Sequence, residues 1–255
     1  MTDHENGAAA GPRLVSRQDV AVMAWLAMLL PISWLAPQPL WPPACDALSN
    51  AIMRLSPRST AAKAAKIRQR CGDQPGLPAP HAIVMRSRAR RAERNLQYLR
   101  ELRPGGWDPR IELTGGEHID HALGIGAGCV LWVAPMLSAY LVAKKGLHAA
   151  GYSVTHLSHE DHGVSPTRLG HRLNVVKTRP EERYLSERLV MTDGSELKRT
   201  RDLYTKLRDN ALISITAETV WGARKVAGPF LGDVIRLPTG APSLSLATGA
   251  ALLPT

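Results

Sequence analysis

The feature of this chain that most constrains its fold is a short apolar run at 129–134, which lies between Gly128 and Pro135. A continuous apolar run between turn-forming residues is typical of a strand that is buried on both faces of a parallel sheet. A helical pattern follows directly at 137–150. Because open α/β sheets bind ligands where strands end and helices begin, we expect a functional site at this junction.

Strand-like and helix-like patterns alternate along the rest of the chain. Strands are predicted near 110–113, 129–134, 152–157, 188–192, 212–219 and 250–253, and helices near 116–123, 137–150, 196–209 and 242–248. Strands that alternate with helices predict an α/β fold, with a mixed, largely parallel sheet flanked by helices.

Composition divides the chain into four segments. We expect a disordered polar tail at 1–18, an apolar membrane-associating segment at 19–46, a basic helical region at 47–105 and an α/β domain at 106–255. In front of that domain, helices are expected near 16–30, 47–56, 59–70 and 81–102.

The apolar segment contains no charged residue from Val20 to Cys45. Its longest apolar stretch ends at Pro31, before the roughly 20 residues that a spanning helix needs. One interpretation is a helix that lies in or dips into the bilayer surface, and the other is a core helix of a soluble domain. A signal peptide is not expected, because acidic residues accompany Arg13 and Arg17 and no small-residue cleavage site follows.

The formal net charge of +10 is concentrated in one part of the chain. Residues 54–110 carry fourteen basic and four acidic groups, a net +10, whereas 1–53 carry −2 and 111–255 carry +2. Such a block favours a polyanionic partner. Its position beside the apolar segment favours an anionic membrane surface, and a solvated basic helix face is the other interpretation.

Nucleic acid is not expected as the partner of this basic block, because the block lacks a recognised motif and interleaved aromatics. The arginines expected to bind the membrane are Arg86, Arg88, Arg90, Arg91 and Arg94.

Cysteine and histidine spacing gives no metal signature. The three cysteines form no Cys-x-x-Cys pair, so neither a structural zinc site nor a disulfide framework is expected. The segment 156–162 holds three histidines and two acids, but their spacing fits no known zinc pattern. We therefore predict no metal and no cofactor.

Four motifs, in order, resemble those of the lipid A biosynthesis (late) acyltransferases of the lysophospholipid acyltransferase superfamily. The first is the approach to the strand, with Ile-Glu-Leu at 111–113, Gly-Glu-His-Ile-Asp-His-Ala-Leu at 116–123 and a Gly-rich turn at 124–128. The others are Phe-Leu-Gly at 230–232, Leu-Pro-Thr-Gly-Ala-Pro-Ser-Leu at 237–244 and Thr-Gly-Ala-Ala-Leu-Leu-Pro at 248–254. The resemblance covers roughly 20–255 and implies an acyltransferase-like α/β domain. Because that family continues for several more elements, it also implies a domain truncated at its C-terminus.

The chain departs from this family at its catalytic pair. The family places His-x4-Asp/Glu after the strand, where the histidine is the general base for the acceptor hydroxyl and the carboxylate orients it. The corresponding residues here are Pro135 and Tyr140. Proline offers no side-chain proton acceptor, and a phenol loses its proton only at a pH of about 10. Loss of a general base typically lowers a rate by about 10²–10⁴-fold.

The resemblance also implies a set of site residues. Glu218 falls where the family's third motif has an acid, and the family's second motif has a substrate-holding arginine near 156–163. His159 and Glu218 are the candidate catalytic residues, and His156 with Asp161 is a less favoured pair. The expected substrate-binding residues are Ser138, Tyr140, His159, Arg168, Glu218 and Gly240.

Two functions remain open at this point. The resemblance implies an acyltransferase of lipid A or lysophospholipid biosynthesis, which moves a fatty acyl group from acyl carrier protein or acyl-CoA to a lipid hydroxyl. Its location would be the cytoplasmic face of the bacterial inner membrane. The missing pair instead implies a catalytically degenerate relative that binds a lipid or an acyl chain, so whether the chain is an enzyme stays open.

Overall fold

The structure is a computed structural model and describes residues 14–72, 74–136, 140–159, 167–192, 194–217, 222 and 224–255. The helices are α1 (Arg17–Leu35), α2 (Trp41–Leu55), α3 (Pro57–Cys71), α4 (Pro80–Glu101), α5 (Gly116–Gly124), α6 (Tyr140–Ala149), α7 (Arg168–Glu182), α8 (Glu196–Arg208) and α9 (Gly240–Thr248), with a 3-10 turn at Gln38–Leu40. The strands are β1 (Cys129–Val133), β2 (Val154–His159), β3 (Glu187–Met191), β4 (Leu212–Thr216), β5 (Lys225–Phe230), β6 (Asp233–Pro238) and β7 (Ala251–Pro254).

Five of these strands form a parallel sheet in the order β3-β2-β4-β1-β7, while β5 and β6 pair as a separate antiparallel hairpin. The predicted α/β class, with a largely parallel sheet flanked by helices, is confirmed. Leu131 of β1 lies opposite Ser214 of β4 and Leu253 of β7, and Ser214 lies opposite His156 of β2. These four residues form one row across the sheet with their side chains on the same face.

The connections between strands reverse direction between β1 and β4. After β1 the chain passes through α6 to β2 and through α7 to β3, toward one edge of the sheet. It then returns through α8 to β4 and reaches β7, beyond β1, by way of α9. α5 and α6 pack on one face, whereas α8 and α9 pack on the other. The carboxyl ends of β1 and β4 are therefore the topological switch point, where open α/β sheets bind ligands.

β1 is buried, as its apolar run predicts. Cys129 and Val130 are fully buried and Leu131 is nearly so. Gly128, just before the strand, has φ +75°, and a Cβ there would lie 2.5 Å from the Leu207 carbonyl oxygen. Only glycine lets the end of α8 approach the start of β1 this closely.

The N-terminal helices form a layer over α6 and α7, with α4 at its centre. The Ser33 hydroxyl of α1 donates to the Leu96 carbonyl over 2.9 Å, and the Trp34 indole N–H donates to the Leu99 carbonyl over 3.0 Å. These bonds fix the last turn of α1, which continues past Pro31, although the sequence pattern predicted its end near residue 30. The side chains packed between these helices and α6 are Leu29, Trp41, Cys45, Ala89, Ala92, Leu96, Leu99 and Leu141.

The carboxylate of Glu101, at the end of α4, joins this layer to the α/β domain. Glu101 is 2% exposed and accepts hydrogen bonds from Lys145 Nζ (3.1 Å), the Tyr184 hydroxyl (2.6 Å) and the Trp107 backbone N–H (3.2 Å). Burial by itself lowers the pKa of Lys145, but its hydrogen bonds to Tyr184 and Glu101 and the Glu101 charge outweigh burial and raise that pKa. Lys145 therefore carries its positive charge at neutral pH.

Three features of the fold differ from the sequence-based expectation. The predicted strand at 110–113 is wrong: the segment pairs with no described strand, and Ile111 instead packs against Gly146 of α6. Helix α7 was not predicted, because its sequence is mainly polar and contains Pro180. The hairpin was not predicted either, because most of its side chains are exposed and no apolar alternation marks it.

We predict that Glu101→Ala lowers the free energy of unfolding by about 3–5 kcal/mol, because it leaves a buried ammonium without its carboxylate. Urea unfolding followed by tryptophan fluorescence measures this change. The matched control is Glu93→Ala, which removes the 2.6 Å pair with the exposed Arg90 and should cost less than about 1 kcal/mol. Equal losses in the two variants would contradict a structural role for the buried pair.

Candidate functional site

A cavity of about 480 Å³, here called the sheet-edge cavity, lies at the switch point on the face covered by α5 and α6. Most of its wall is apolar, with side chains from four strands, β1, β2, β4 and β7, and from both helices. The principal apolar residues are Ile119, Leu131, Val133, Leu147, Val154 and Leu253, and the polar ones are His118, Tyr140, Lys144, His156, Ser214 and Thr216. An apolar cavity of this size with a few polar groups is typical of a small-molecule site.

A histidine and a serine meet in the floor of the cavity. His156 and Ser214 are 4% and 5% exposed, and His156 Nδ1 lies 3.2 Å from Ser214 Oγ. The pair exists because β2 and β4 are neighbours and place the two residues opposite each other. An imidazole beside a hydroxyl is a combination that can serve in acid–base chemistry, and it lies in the floor of the cavity.

The polar wall of the cavity is tied to the helical layer through Glu181 of α7. Lys144 Nζ binds one oxygen of this carboxylate, and the Tyr98 hydroxyl of α4 donates to the other. Burial, followed by the charge of Glu181, raises the pKa of Tyr98 well above its ordinary value, so the phenol stays protonated. The carboxylate thus compensates the charge of the buried Lys144.

The two residues that the resemblance aligns with the family's catalytic pair, Pro135 and Tyr140, have different surroundings. Pro135 is exposed just after β1, whereas Tyr140 begins α6 and lines the cavity. The guanidinium carbon of Arg94 lies 5.8 Å from the centre of the Tyr140 ring, in a cation–π contact. Position 135 therefore holds no proton acceptor, and position 140 holds an aromatic ring beside a cation.

The other predicted site residues do not gather around this cavity. His159 follows Leu157 by two positions on β2, so its side chain lies on the α8 side of the sheet, away from His156. Arg168 is exposed at the start of α7, and Gly240 is exposed at the start of α9. Their roles in substrate binding stay predictions.

Some predicted residues lie outside the described part of the chain. Ser138 lies between Met136 and Tyr140, Glu218 directly follows the described Ala217, and Asp161 lies beyond β2. The catalytic role predicted for Glu218 and the His156–Asp161 pair also stay predictions. Within the described residues, no group of three or more His, Cys, Asp or Glu side chains is arranged to hold a metal ion.

Sequence reasoning missed the contributions of Ser214 and Lys144. The histidine-rich segment draws attention to His156, but its partner Ser214 is 58 residues away and sits within an ordinary strand pattern. Lys144 looks like a solvated helix residue until its burial against Glu181 is known. Only knowledge of the strand order and helix packing could have identified either residue.

Two buried thiols are not candidates for nucleophilic chemistry. Burial raises the pKa of Cys129, at the start of β1, to about 11. Burial, followed by the nearby charges of Glu93 and Asp46, raises the pKa of Cys45 to about 11 as well. Thiols with such pKa values carry almost no thiolate at neutral pH, so they act as apolar core groups.

The five arginines predicted to bind a membrane divide between two surfaces of α4. Arg86 and Arg90 are exposed, and Arg90 pairs with Glu93 over 2.6 Å. Arg88, Arg91 and Arg94 follow helical spacing and line a second cavity between α4, α1 and α7. The basic block is therefore not one uniformly solvated face.

Helix α1 presents an apolar face outward. Val20, Met23, Met28, Leu30 and Leu35 are each more than a third exposed. Among the described residues, α1 is also the helix that is long and apolar enough to cross a membrane by length and composition. An exposed apolar face of this extent is typical of a surface that contacts a membrane or another protein.

Comparison with models of known protein families finds no match to this chain, and comparison with curated proteins finds none either. The resemblance to the lipid A acyltransferases thus rests on the sequence motifs alone.

Proposed function

We propose that this chain is an acyltransferase-like protein of lipid metabolism that binds a fatty acyl chain in the sheet-edge cavity while docked on an anionic membrane surface. The observation that carries the proposal is the apolar cavity at the switch point between β1 and β4. Its place corresponds to the substrate site of open α/β sheets. The cytoplasmic face of the bacterial inner membrane is the location that the sequence resemblance implies.

Acyl transfer by the family's usual route is not part of this proposal. Pro135 has no side-chain base. Tyr140, a phenol beside the Arg94 guanidinium, does not supply the negative charge that orients the family's histidine. A chain that keeps the cavity without this base can hold an acyl group, but it forfeits the roughly 10²–10⁴-fold that a general base contributes. This argument favours lipid or acyl-chain binding over turnover.

One observation favours an acyltransferase as the second candidate function. The His156–Ser214 pair lies in the cavity floor and could replace the missing base. In that reaction, His156 would take the proton of the acceptor hydroxyl while the oxygen attacks the thioester carbonyl. The carrier thiolate would leave and take up the proton from His156. The donor would be an acyl carrier protein or acyl-CoA thioester, and the acceptor a lipid hydroxyl.

Membrane docking is proposed for the outward face of α1. The opposite side of this helix is already bonded to α4 through Ser33 and Trp34 and to α7 through the Asp19 carboxylate, which accepts from the Thr167 hydroxyl over 2.7 Å. These contacts favour a helix that lies along the membrane surface over one that leaves the protein to span it. The exposed arginines Arg86 and Arg90 supply positive charge on the same layer.

Acyl binding is tested with a fluorescent fatty acid and the purified chain. Ala143 lines the sheet-edge cavity, so Ala143→Phe should fill it and weaken binding by about ten-fold or more. Ala149→Phe, at an exposed position of the same helix, is the matched control and should change affinity by less than about two-fold. Equal affinity of the two variants would mean that the fatty acid binds elsewhere.

We predict no acyl transfer above the uncatalysed rate with acyl carrier protein or acyl-CoA thioesters and a lysolipid acceptor. The assay includes His156→Ala, His159→Ala and Glu218→Ala. Turnover that His156→Ala abolishes would establish the second candidate function. Turnover lost only in His159→Ala or Glu218→Ala would establish those residues as the catalytic ones, and robust turnover in all three would place the site elsewhere.

Membrane docking is tested by vesicle flotation. Met23→Glu and Leu30→Glu should sharply reduce the bound fraction, because each places a carboxylate in the apolar face of α1. Leu197→Glu is the control, since Leu197 is 88% exposed on α8, on the far side of the sheet. Phosphatidylglycerol vesicles should bind better than phosphatidylcholine vesicles, since each basic residue near an anionic surface contributes about 1 kcal/mol. Equal binding to both kinds of vesicle would contradict the electrostatic contribution to the proposed docking.

A further inference from the structure

A second cavity, here called the interhelical cavity, has a volume of about 330 Å³ and lies between α1, α4 and α7. Its two sides differ in chemistry. The α1 side is apolar, with Val22, Trp25 and Leu26. The opposite side is basic, and its charged residues are Arg88, Arg91 and Arg94 of α4 and Lys177 of α7.

The cavity carries more positive than negative charge. Four basic side chains and one acidic side chain, Asp19, line it, which gives a formal net charge of +3. The Asp19 carboxylate is engaged elsewhere, since it accepts from Ser16 at the start of α1 and from Thr167 at the start of α7. Among the described residues, none of the four cations forms an ion pair with a carboxylate.

Individual groups confirm that this charge is poorly compensated. Arg94 Nε is buried and has no hydrogen-bond partner among the described residues. Burial, followed by the charge of Arg94, lowers the pKa of Lys177, and the charge of Glu181 offsets this only in part. Arg88 donates to the neutral Thr60 hydroxyl over 3.0 Å, which leaves its charge unbalanced. An anion between α4 and α7 would satisfy all three groups.

The apolar side of the cavity decides which anion fits. A small inorganic anion would match the arginines but would leave Val22, Trp25 and Leu26 facing a strongly hydrated group. An anion that carries an apolar chain matches both sides. Because α1 separates the cavity from the surface proposed to face the membrane, a lipid can supply both parts at once.

We propose that the interhelical cavity binds the phosphate head group of an anionic phospholipid, with the phosphate between Arg91, Arg94 and Lys177 and the first part of an acyl chain against α1. The site is separate from the acyl-binding function proposed for the sheet-edge cavity and does not require it. It shares with that proposal only the membrane as the source of lipid.

The test uses soluble short-chain lipids, so that it does not depend on vesicle docking. Calorimetric titration of the full chain with dihexanoyl phosphatidic acid, below its micellar concentration, should give saturable binding. Dihexanoyl phosphatidylcholine and inorganic phosphate should each bind at least about ten-fold more weakly, because one lacks the net charge and the other lacks the chain. Inorganic phosphate that binds as tightly as the lipid would overturn the lipid assignment and leave a free-anion site.

Three variants that remove the same charge separate a site from a general electrostatic effect. Arg94→Gln and Arg91→Gln should each weaken phosphatidic acid binding by about ten-fold or more, as expected for a charge-assisted hydrogen bond. Arg179→Gln, at an exposed position of α7 that does not line the cavity, should change it by less than about two-fold. Because Arg91 is exposed, its variant tests the site even if Arg94→Gln perturbs folding. Equal weakening by Arg179→Gln and Arg91→Gln would overturn the proposal.

Discussion

Two carboxylates, the buried Glu101 and the partly buried Glu181, determine how the helical layer sits on the α/β domain, and both cavities depend on that position. Glu101 binds Lys145 of α6 and Tyr184, while Glu181 of α7 binds Tyr98 of α4 and Lys144 of α6. Three helices that are distant in sequence, α4, α6 and α7, therefore meet through two acids. Such pairs stabilise a fold weakly compared with apolar packing, but removing one partner leaves an uncompensated buried charge. Their main effect is to fix one arrangement of α4 against α6 and α7.

That arrangement explains why the two cavities differ. The sheet-edge cavity is closed by α6, whose Lys144 forms an ion pair with Glu181, and most of its remaining lining is apolar. The interhelical cavity lies on the other side of the same contacts, where Tyr98 shares Glu181 but Arg94 and Lys177 have no carboxylate of their own among the described residues. One cavity suits an uncharged acyl chain and the other suits an anion. The difference arises because Glu181 neutralises Lys144 in the wall of the sheet-edge cavity and forms no ion pair with Arg94 or Lys177.

The sequence predicts those features that depend on residues close together in the chain, and it does not predict contacts between residues that are far apart in the chain. The strand β1, the helices α4 and α8 and the α/β class follow from local apolar periodicity, which residues near in sequence determine. The opposition of His156 and Ser214 depends on the strand order, and the burial of Lys144 depends on α7, whose mainly polar sequence gave no clear helical signal. The segment at 110–113 shows the converse error, because a four-residue alternation cannot distinguish a strand from a chain segment that packs across a helix, as Ile111 does on Gly146.

Pro135 and Tyr140, which the resemblance aligns with the family's catalytic pair, bear on both the acyl-binding proposal and the anion-site proposal. At 135, proline leaves the end of β1 intact, since the neighbouring Ala134 N–H still donates to the Thr255 carbonyl over 2.8 Å. The end of β1 is therefore kept, while position 135 offers no side-chain base. At 140, an acid would place a carboxylate close to Arg94 and would neutralise it. Tyrosine instead meets the guanidinium with its ring, and Arg94 keeps a buried N–H without a partner among the described residues. The same departure from the resembled motif that argues against base-assisted acyl transfer thus leaves Arg94 without a carboxylate partner among the described residues, as the proposed anion site requires.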